Sequence, residues 1–222
     1  MPQHEAKGAK TVKADFSRSK NIMFCMTIQR QFVFALLLAV SLPAGPAGAD
    51  LHVTPDARTG QSGASWDSAM TIEEAVAAAN ASPGATIRLL KGTYRPVGPL
   101  AIKENMRIYG GFLRQAAERP HGFPRTATST IDGLGTTRLL EVAAGGVLLD
   151  GLELIRGAAI GRPGDGADPA NAGGAIVVEK GARLTLNCCI LSGNKALLGG
   201  AVENRGLLFA ANSVFQGSLP WS

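Results

Sequence analysis

Aromatic residues make up 5% of this 222-residue chain and charged residues 18%. That balance excludes a coiled coil and a disordered charged tail. Histidine is confined to His4, His52 and His121, and cysteine to Cys25, Cys188 and Cys189. The last two cysteines are adjacent. Neighbours in a strand point to opposite faces, so a disulfide between them is geometrically poor, and a metal site would need further ligands. One is expected to be a buried small hydrophobe and the other to lie nearer the surface. No apolar run approaches the ~20 residues that a spanning helix requires. A basic excess on the folded part is missing too. Residues 1–49 hold six Lys/Arg against two Asp/Glu, leaving 16 against 15 in residues 50–222 out of totals of 22 and 17. The body is near neutral, which argues against a nucleic-acid partner.

What the chain does contain begins with an address. Residues 32–42 are apolar, preceded by Arg30 and followed by Pro43-Ala-Gly-Pro-Ala-Gly-Ala49. A basic flank, a short apolar segment and an A-x-A-like ending predict a secretory signal peptide over 1–49, cleaved after Ala49. The polar stretch before Met26 is long for such a leader, so Met26 is an alternative start. No Cys follows the run where a lipid anchor would need it. The expected destination is the periplasm, the outer-membrane surface or the extracellular space, with no transmembrane segment in the mature chain.

Glycine is abundant, at 28 residues, with 12 prolines. Gly173-Gly174-Ala175-Ile176 recurs as Gly199-Gly200-Ala201-Val202, and Leu191-Ser192-Gly193 as Phe215-Gln216-Gly217. The period is about 25 residues. Val147 to Leu154 aligns with Leu184 to Leu191 at a constant offset of 37, which is one period plus a 12-residue insertion over 161–172. Each repeat alternates apolar residues with period two and breaks at Gly or Asn, as at Asn187. Units this short bury a face only by stacking. The pattern therefore predicts an all-β solenoid, a parallel β-helix. Leucine-rich repeats would show a Leu-x-x-Leu-x-Leu skeleton and propeller blades a period of ~40 to 45, and neither is found. Asp150, Asn187 and Asn212 fall at or near equivalent bends, where their side chains are expected to bond corner backbone and each other.

Residues 71–80 predict a helix. Thr71 and Glu74 form a T-x-x-E capping box, and Ile72, Ala75, Val76 and Ala79 share a face that would lie over the first coil as a lid. The expected layout is an N-terminal cap over 50–84, about five coils over 85–218 with loops at 113–128 and 161–172, and a tail over 219–222. The last coil is expected to be uncapped, as in a shortened or fragmentary member of a longer group.

His52-Val-Thr-Pro-Asp56, Gly63-Ala-Ser-Trp66, the helix at Thr71, Lys91-Gly-Thr-Tyr-Arg-Pro96, Ile108-Tyr-Gly-Gly-Phe112 and Thr130-Ile-Asp-Gly133 together resemble the N-terminal part of secreted bacterial right-handed β-helix proteins of the pectate-lyase-like superfamily. The Gly-Gly-Ala repeats are similar to those of polymorphic outer-membrane proteins. The resemblance spans residues 51–218 and implies a right-handed parallel β-helix. It says little of activity, because that superfamily includes lyases, hydrolases and adhesins.

Lyases of this fold gather acidic residues for calcium and an Arg or Lys base, and its hydrolases need paired carboxylates. Here Glu153 aligns with Ile190 and Arg156 with Gly193 at the offset of 37, so no ladder of charge builds up. The family's hydrolase pattern of Asn-x-Asp, Asp-Asp, Gly-His-Gly and Arg-x-Lys is absent. No catalytic residue is assigned, and no cofactor is expected apart from calcium at Asp165, Asp168 and Asn171 in the insertion, which lacks a defined calcium-loop spacing. Trp66 and Tyr94 could make a sugar-stacking platform or staple the cap to the first coil. Arg114 and Arg119 lie in the loop after Gly-Gly-Phe and are further ligand candidates. Gly174 and Gly200, with Thr71, Glu74, Asn187 and Asn212, are read as structural. The expectation is an exported, non-catalytic display or adhesin-like module whose partner is a polysaccharide or cell-surface ligand. The alternative is a polysaccharide lyase or glycoside hydrolase.

Overall fold

The computed structural model describes residues 48–114, 129–143, 145–159 and 171–220. Residues 1–47 of the leader, Arg119, Asp165 and Asp168 lie outside the described residues. Strand β1 (Asp50–Val53) precedes helix α1 (Ile72–Ala81). The chain then makes successive passes. The first is β2 (Ala85–Leu90), β3 (Gly92–Tyr94) and β4 (Leu100–Ile102); the next is β5 (Met106–Phe112), β6 (Ser129–Asp132) and β7 (Leu140–Val142). β8 (Gly146–Asp150), β9 (Leu152–Ile155), β10 (Ala158–Ala159) and β11 (Ile176–Val178) follow. β12 (Arg183–Asn187), β13 (Ile190–Ser192), β14 (Lys195–Ala196) and β15 (Val202–Asn204) repeat that order, and β16 (Leu207–Ala211), β17 (Val214–Gln216) and β18 (Leu219–Pro220) come last.

Each pass but the last adds one strand to each of three main sheets; the last adds none to the third. The first sheet runs β1-β2-β5-β8-β12-β16, the second β3-β6-β9-β13-β17 and the third β4-β7-β11-β15, with a small sheet β10-β14-β18. Every pairing is parallel, as in Leu149 with Leu186 and Leu186 with Ala210. This is the strand arrangement of a β-solenoid.

The alternation read from the sequence sets which side chains enter. In β2, Ala85, Ile87 and Leu89 are buried while Thr86 and Arg88 are half-exposed. In-register pairing then stacks like on like: Leu51, Ile87, Ile108, Leu149, Leu186 and Ala210 form one inward column. Tyr94, Ile131, Leu154, Leu191 and Phe215 form another. Each fully buried aliphatic residue contributes roughly 1.5–3 kcal/mol. The columns thin out at their last member. Leu191 is 0% exposed and Phe215, its neighbour in the next pass, is 46% exposed.

The offset of 37 is the observed register, with Val147 opposite Leu184 and Leu154 opposite Leu191. The bend between first and second sheets falls one residue later than expected. Cys188 (φ 51°), not Asn187, adopts the left-handed conformation, equivalent to Gly151 (φ 72°) and Asn212 (φ 50°). Asn187 ends β12, so its side chain is free to accept from Asn212 Nδ2 at 3.4 Å. The two cysteines thus flank a corner and do not alternate along a strand; Cys189 is buried and Cys188 is partly exposed.

Thr71 caps α1: its Oγ1 accepts the Glu74 N–H at 3.3 Å, and Glu74 Oε2 accepts the Thr71 N–H at 3.2 Å. Ile72, Ala75, Val76 and Ala79 are buried in the same core as the sheets. Asn80 fastens the polar edge of the helix, donating to the Ala101 carbonyl and accepting from the Lys103 N–H, both at 2.8 Å.

Candidate functional site

The segment between β1 and α1 folds over the start of the first sheet and creates a hollow there. Three backbone bonds hold it: His52 N–H to Gly63 O at 2.8 Å, Gly63 N–H to Ser68 O at 2.8 Å and Met70 N–H to His52 O at 3.0 Å. Glu74 adds a fourth tie, accepting the Gly60 N–H at 2.7 Å. The Gly60 and Thr71 N–H groups hold its carboxyl below the usual carboxylate range. Gly63 sits at φ 70°, a conformation that suits glycine.

Folded this way, the segment places Trp66 against the first sheet. Its ring meets His52 edge-on, with centroids 4.5 Å apart, and Phe112 at 5.8 Å. His52 is itself oriented by its Nδ1–H, which donates to the Gly63 carbonyl at 3.1 Å. Arg88 lies over Phe112, 5.5 Å from the ring centre, and pairs with Asp50 at 2.7 Å. Trp66 also lines a cavity of about 350 Å³ with Thr54, Asp56, Arg58, Gln61, Asp67 and Arg114. Arg114 reaches in from the end of β5, donating to the Trp66 carbonyl at 3.3 Å and lying 3.7 Å from Asp67.

Beside Trp66, the cavity is lined by two carboxylates, two guanidiniums, an amide and a hydroxyl. Carboxylates accept and guanidiniums donate in bidentate fashion, and an indole packs against apolar C–H surfaces. That combination suits a neutral polyhydroxylated ligand. It suits bond cleavage less well, since acid chemistry on a glycosidic bond calls for a carboxyl in a desolvated setting, and Asp67 is 98% exposed.

Of the candidate ligand residues, Trp66 and Arg114 come together here. Tyr94 does not join them. Its ring is 3% exposed, and its hydroxyl reaches the Leu90 carbonyl at 2.7 Å and the Val53 carbonyl at 3.1 Å, tying β1 to the first pass. Asn171 is 1% exposed, with neither amide atom hydrogen-bonded. Among the described residues, no three His, Cys, Asp or Glu side chains converge. Arg58, Gln61 and Asp67 carried no signal in the sequence beyond being polar residues in a loop, and Asp56 entered only as the end of the His52 to Asp56 motif. Among the described residues, no helix is long and apolar enough to cross a membrane.

Comparison with known proteins yields no match: no family model, no curated protein and no solved structure is significantly similar to this chain. The resemblance drawn from motifs therefore stands on the residues quoted for it.

Proposed function

We propose that this chain is an exported, non-catalytic β-helix module that binds polysaccharide or a cell-surface glycan through the hollow beside Trp66. The architecture we infer is a right-handed parallel β-helix of the pectate-lyase-like kind with about five coils, α1 covering the first. The observation that carries the binding reading is the cavity in which Trp66 faces Asp56, Arg58, Gln61, Asp67 and Arg114. Planar donors and acceptors gathered beside an aromatic residue suit the hydroxyl groups of a sugar.

A glycan array probed with the purified protein tests this. Binding to a defined subset of glycans is expected, and Trp66→Ala is expected to abolish it while leaving the β-sheet circular dichroism unchanged. An array without hits, or hits that survive Trp66→Ala, would overturn the reading. The same preparation incubated with uronate polymers, with and without calcium, is expected to yield no unsaturated product; absorbance from such a product would make the chain a lyase.

A further inference from the structure

On the outer face of the second sheet, two guanidiniums converge on one carboxylate. The Asp132 side chain is 2% exposed and accepts from Arg156 through a two-pronged pairing, Nε to Oδ1 at 2.9 Å and Nη2 to Oδ2, while the Leu134 N–H donates to Oδ1 at 3.0 Å. Arg95 Nε stands 3.8 Å from Oδ2. The register explains the meeting. Tyr94 pairs with Ile131, so Arg95 comes beside Asp132; Asp132 pairs with Ile155, so Arg156 comes next.

Two features are out of proportion to a mere structural pairing. Arg156 adopts φ 50°, whereas its equivalents in the next two passes are Gly193 (φ 63°) and Gly217 (φ 55°). The left-handed conformation strains an L residue and not glycine, so this arginine is held in a backbone position that its neighbours reserve for glycine. Moreover, a single guanidinium matches the charge of Asp132, and Arg156 already supplies it. Among the described residues, Arg95 is a second cation with no further acid paired to it. Glu153, the next acidic side chain on this face, accepts from the Thr130 hydroxyl at 2.9 Å.

The spare donors face solvent. Arg156 spends two of its five N–H groups on Asp132 and is 53% exposed; Arg95 is beyond hydrogen-bond distance of Asp132 and is 60% exposed. Asp132, being buried, anchors one fork without competing for an incoming ligand. We propose that Arg95 and Arg156, gathered by Asp132, form a binding site for an oxyanion: a carboxylate, sulfate or phosphate group, free or carried on a polymer. Planar forks of donors recognise such groups in bidentate fashion. The site is independent of the Trp66 hollow.

The test follows the arginine Nε–H resonances of the full chain by nuclear magnetic resonance. Sulfate, phosphate and acetate are titrated against chloride at matched ionic strength, and a sulfated polysaccharide and a uronate polymer against a neutral glucan. Saturable shifts of the Arg95 and Arg156 signals with an oxyanion but not with chloride are expected. Arg95→Gln, which leaves the Asp132–Arg156 pairing in place, is expected to weaken binding by roughly tenfold or more, the size of one lost charged hydrogen bond. Trp66→Ala should leave the response intact. A response to the polymers alone would assign the group to a polymer, and a response to the small ions to a free ligand as well. No saturable shift with any oxyanion, an equal shift with chloride, or wild-type affinity in Arg95→Gln would overturn the proposal.

Discussion

Gly174 and Gly200 stack so closely that a Cβ placed on Gly174 would lie 2.3 Å from the Gly200 carbonyl oxygen. The same Cβ would meet the Lys195 backbone at 2.5 Å and 2.7 Å. The contact is backbone on backbone, so neither side can yield by changing rotamer. The Gly-Gly-Ala repeat is therefore a requirement of packing between adjacent passes.

Gly174→Ala is expected to destabilise the protein by about 2–4 kcal/mol, at or above the upper end of ordinary overpacking. Gly98, where an added Cβ meets nothing within 4 Å, provides the control. Gly98→Ala should stay within about 0.5 kcal/mol of the wild type. Urea unfolding followed by circular dichroism distinguishes the two.

Position along a column should decide the cost of truncating a core side chain. Leu154 is 0% exposed, with Ile131 on one side and Leu191 on the other. Leu154→Ala is expected to cost about 2–5 kcal/mol. Phe215, in the same column but 46% exposed, should lose only roughly 1–2 kcal/mol when changed to Ala, because half of its surface is already in water. Equal losses in denaturant unfolding would contradict the stacking.

Tyr94 should show itself through alkali. Burial, with the charge of Asp56 acting in the same sense, holds its phenol well above the ordinary range. The unfolded chain releases that proton near pH 10 while the folded chain keeps it. The contribution of Tyr94 to stability is therefore unchanged below about pH 10 and falls as pH rises beyond it, since the unfolded state then binds fewer protons. Phenolate absorbance should show one of the two tyrosines ionising only as the protein unfolds. Tyr94→Phe should make this alkaline limb shallower, leaving the part that the buried Cys189 thiol contributes, and cost roughly 1–3 kcal/mol at neutral pH through the lost hydroxyl bond to the Val53 and Leu90 carbonyls.

The adjacent cysteines should differ in reactivity. Burial pushes the Cys189 thiol up to about 12, and its Sγ lies 3.5 Å from the Leu149 carbonyl. Cys188 is partly exposed at the bend. Mass mapping after brief alkylation at pH 8 should find Cys188 modified at least about a hundredfold faster than Cys189, because the thiolate is the reacting form. Equal labelling in the folded state would show that the corner opens.

The stacking was legible because parallel, in-register strands place chemically similar residues above one another. The offset of 37 between Val147 and Leu184 is a spatial register written along the chain. The helix was legible because Thr71 and Glu74 are three residues apart and need no distant partner. The bend at Cys188 was misplaced by one residue because Asn187, the better bend former by type, sits beside it. The lining of the Trp66 hollow was not legible. Asp56, Asp67 and Arg114 meet only after a loop folds back and a later strand ends beside it. Arg95, Asp132 and Arg156 belong to three different passes, and no local pattern links them.

By itself, then, the sequence determined the period, the alternation and the helix cap, because each depends on residues within a turn, a strand or one repeat of each other. The tertiary structure decided which polar side chains share a surface. Those meetings depend on the length of each pass and the path of each loop, and a carboxylate and a guanidinium attract each other regardless of their separation along the chain.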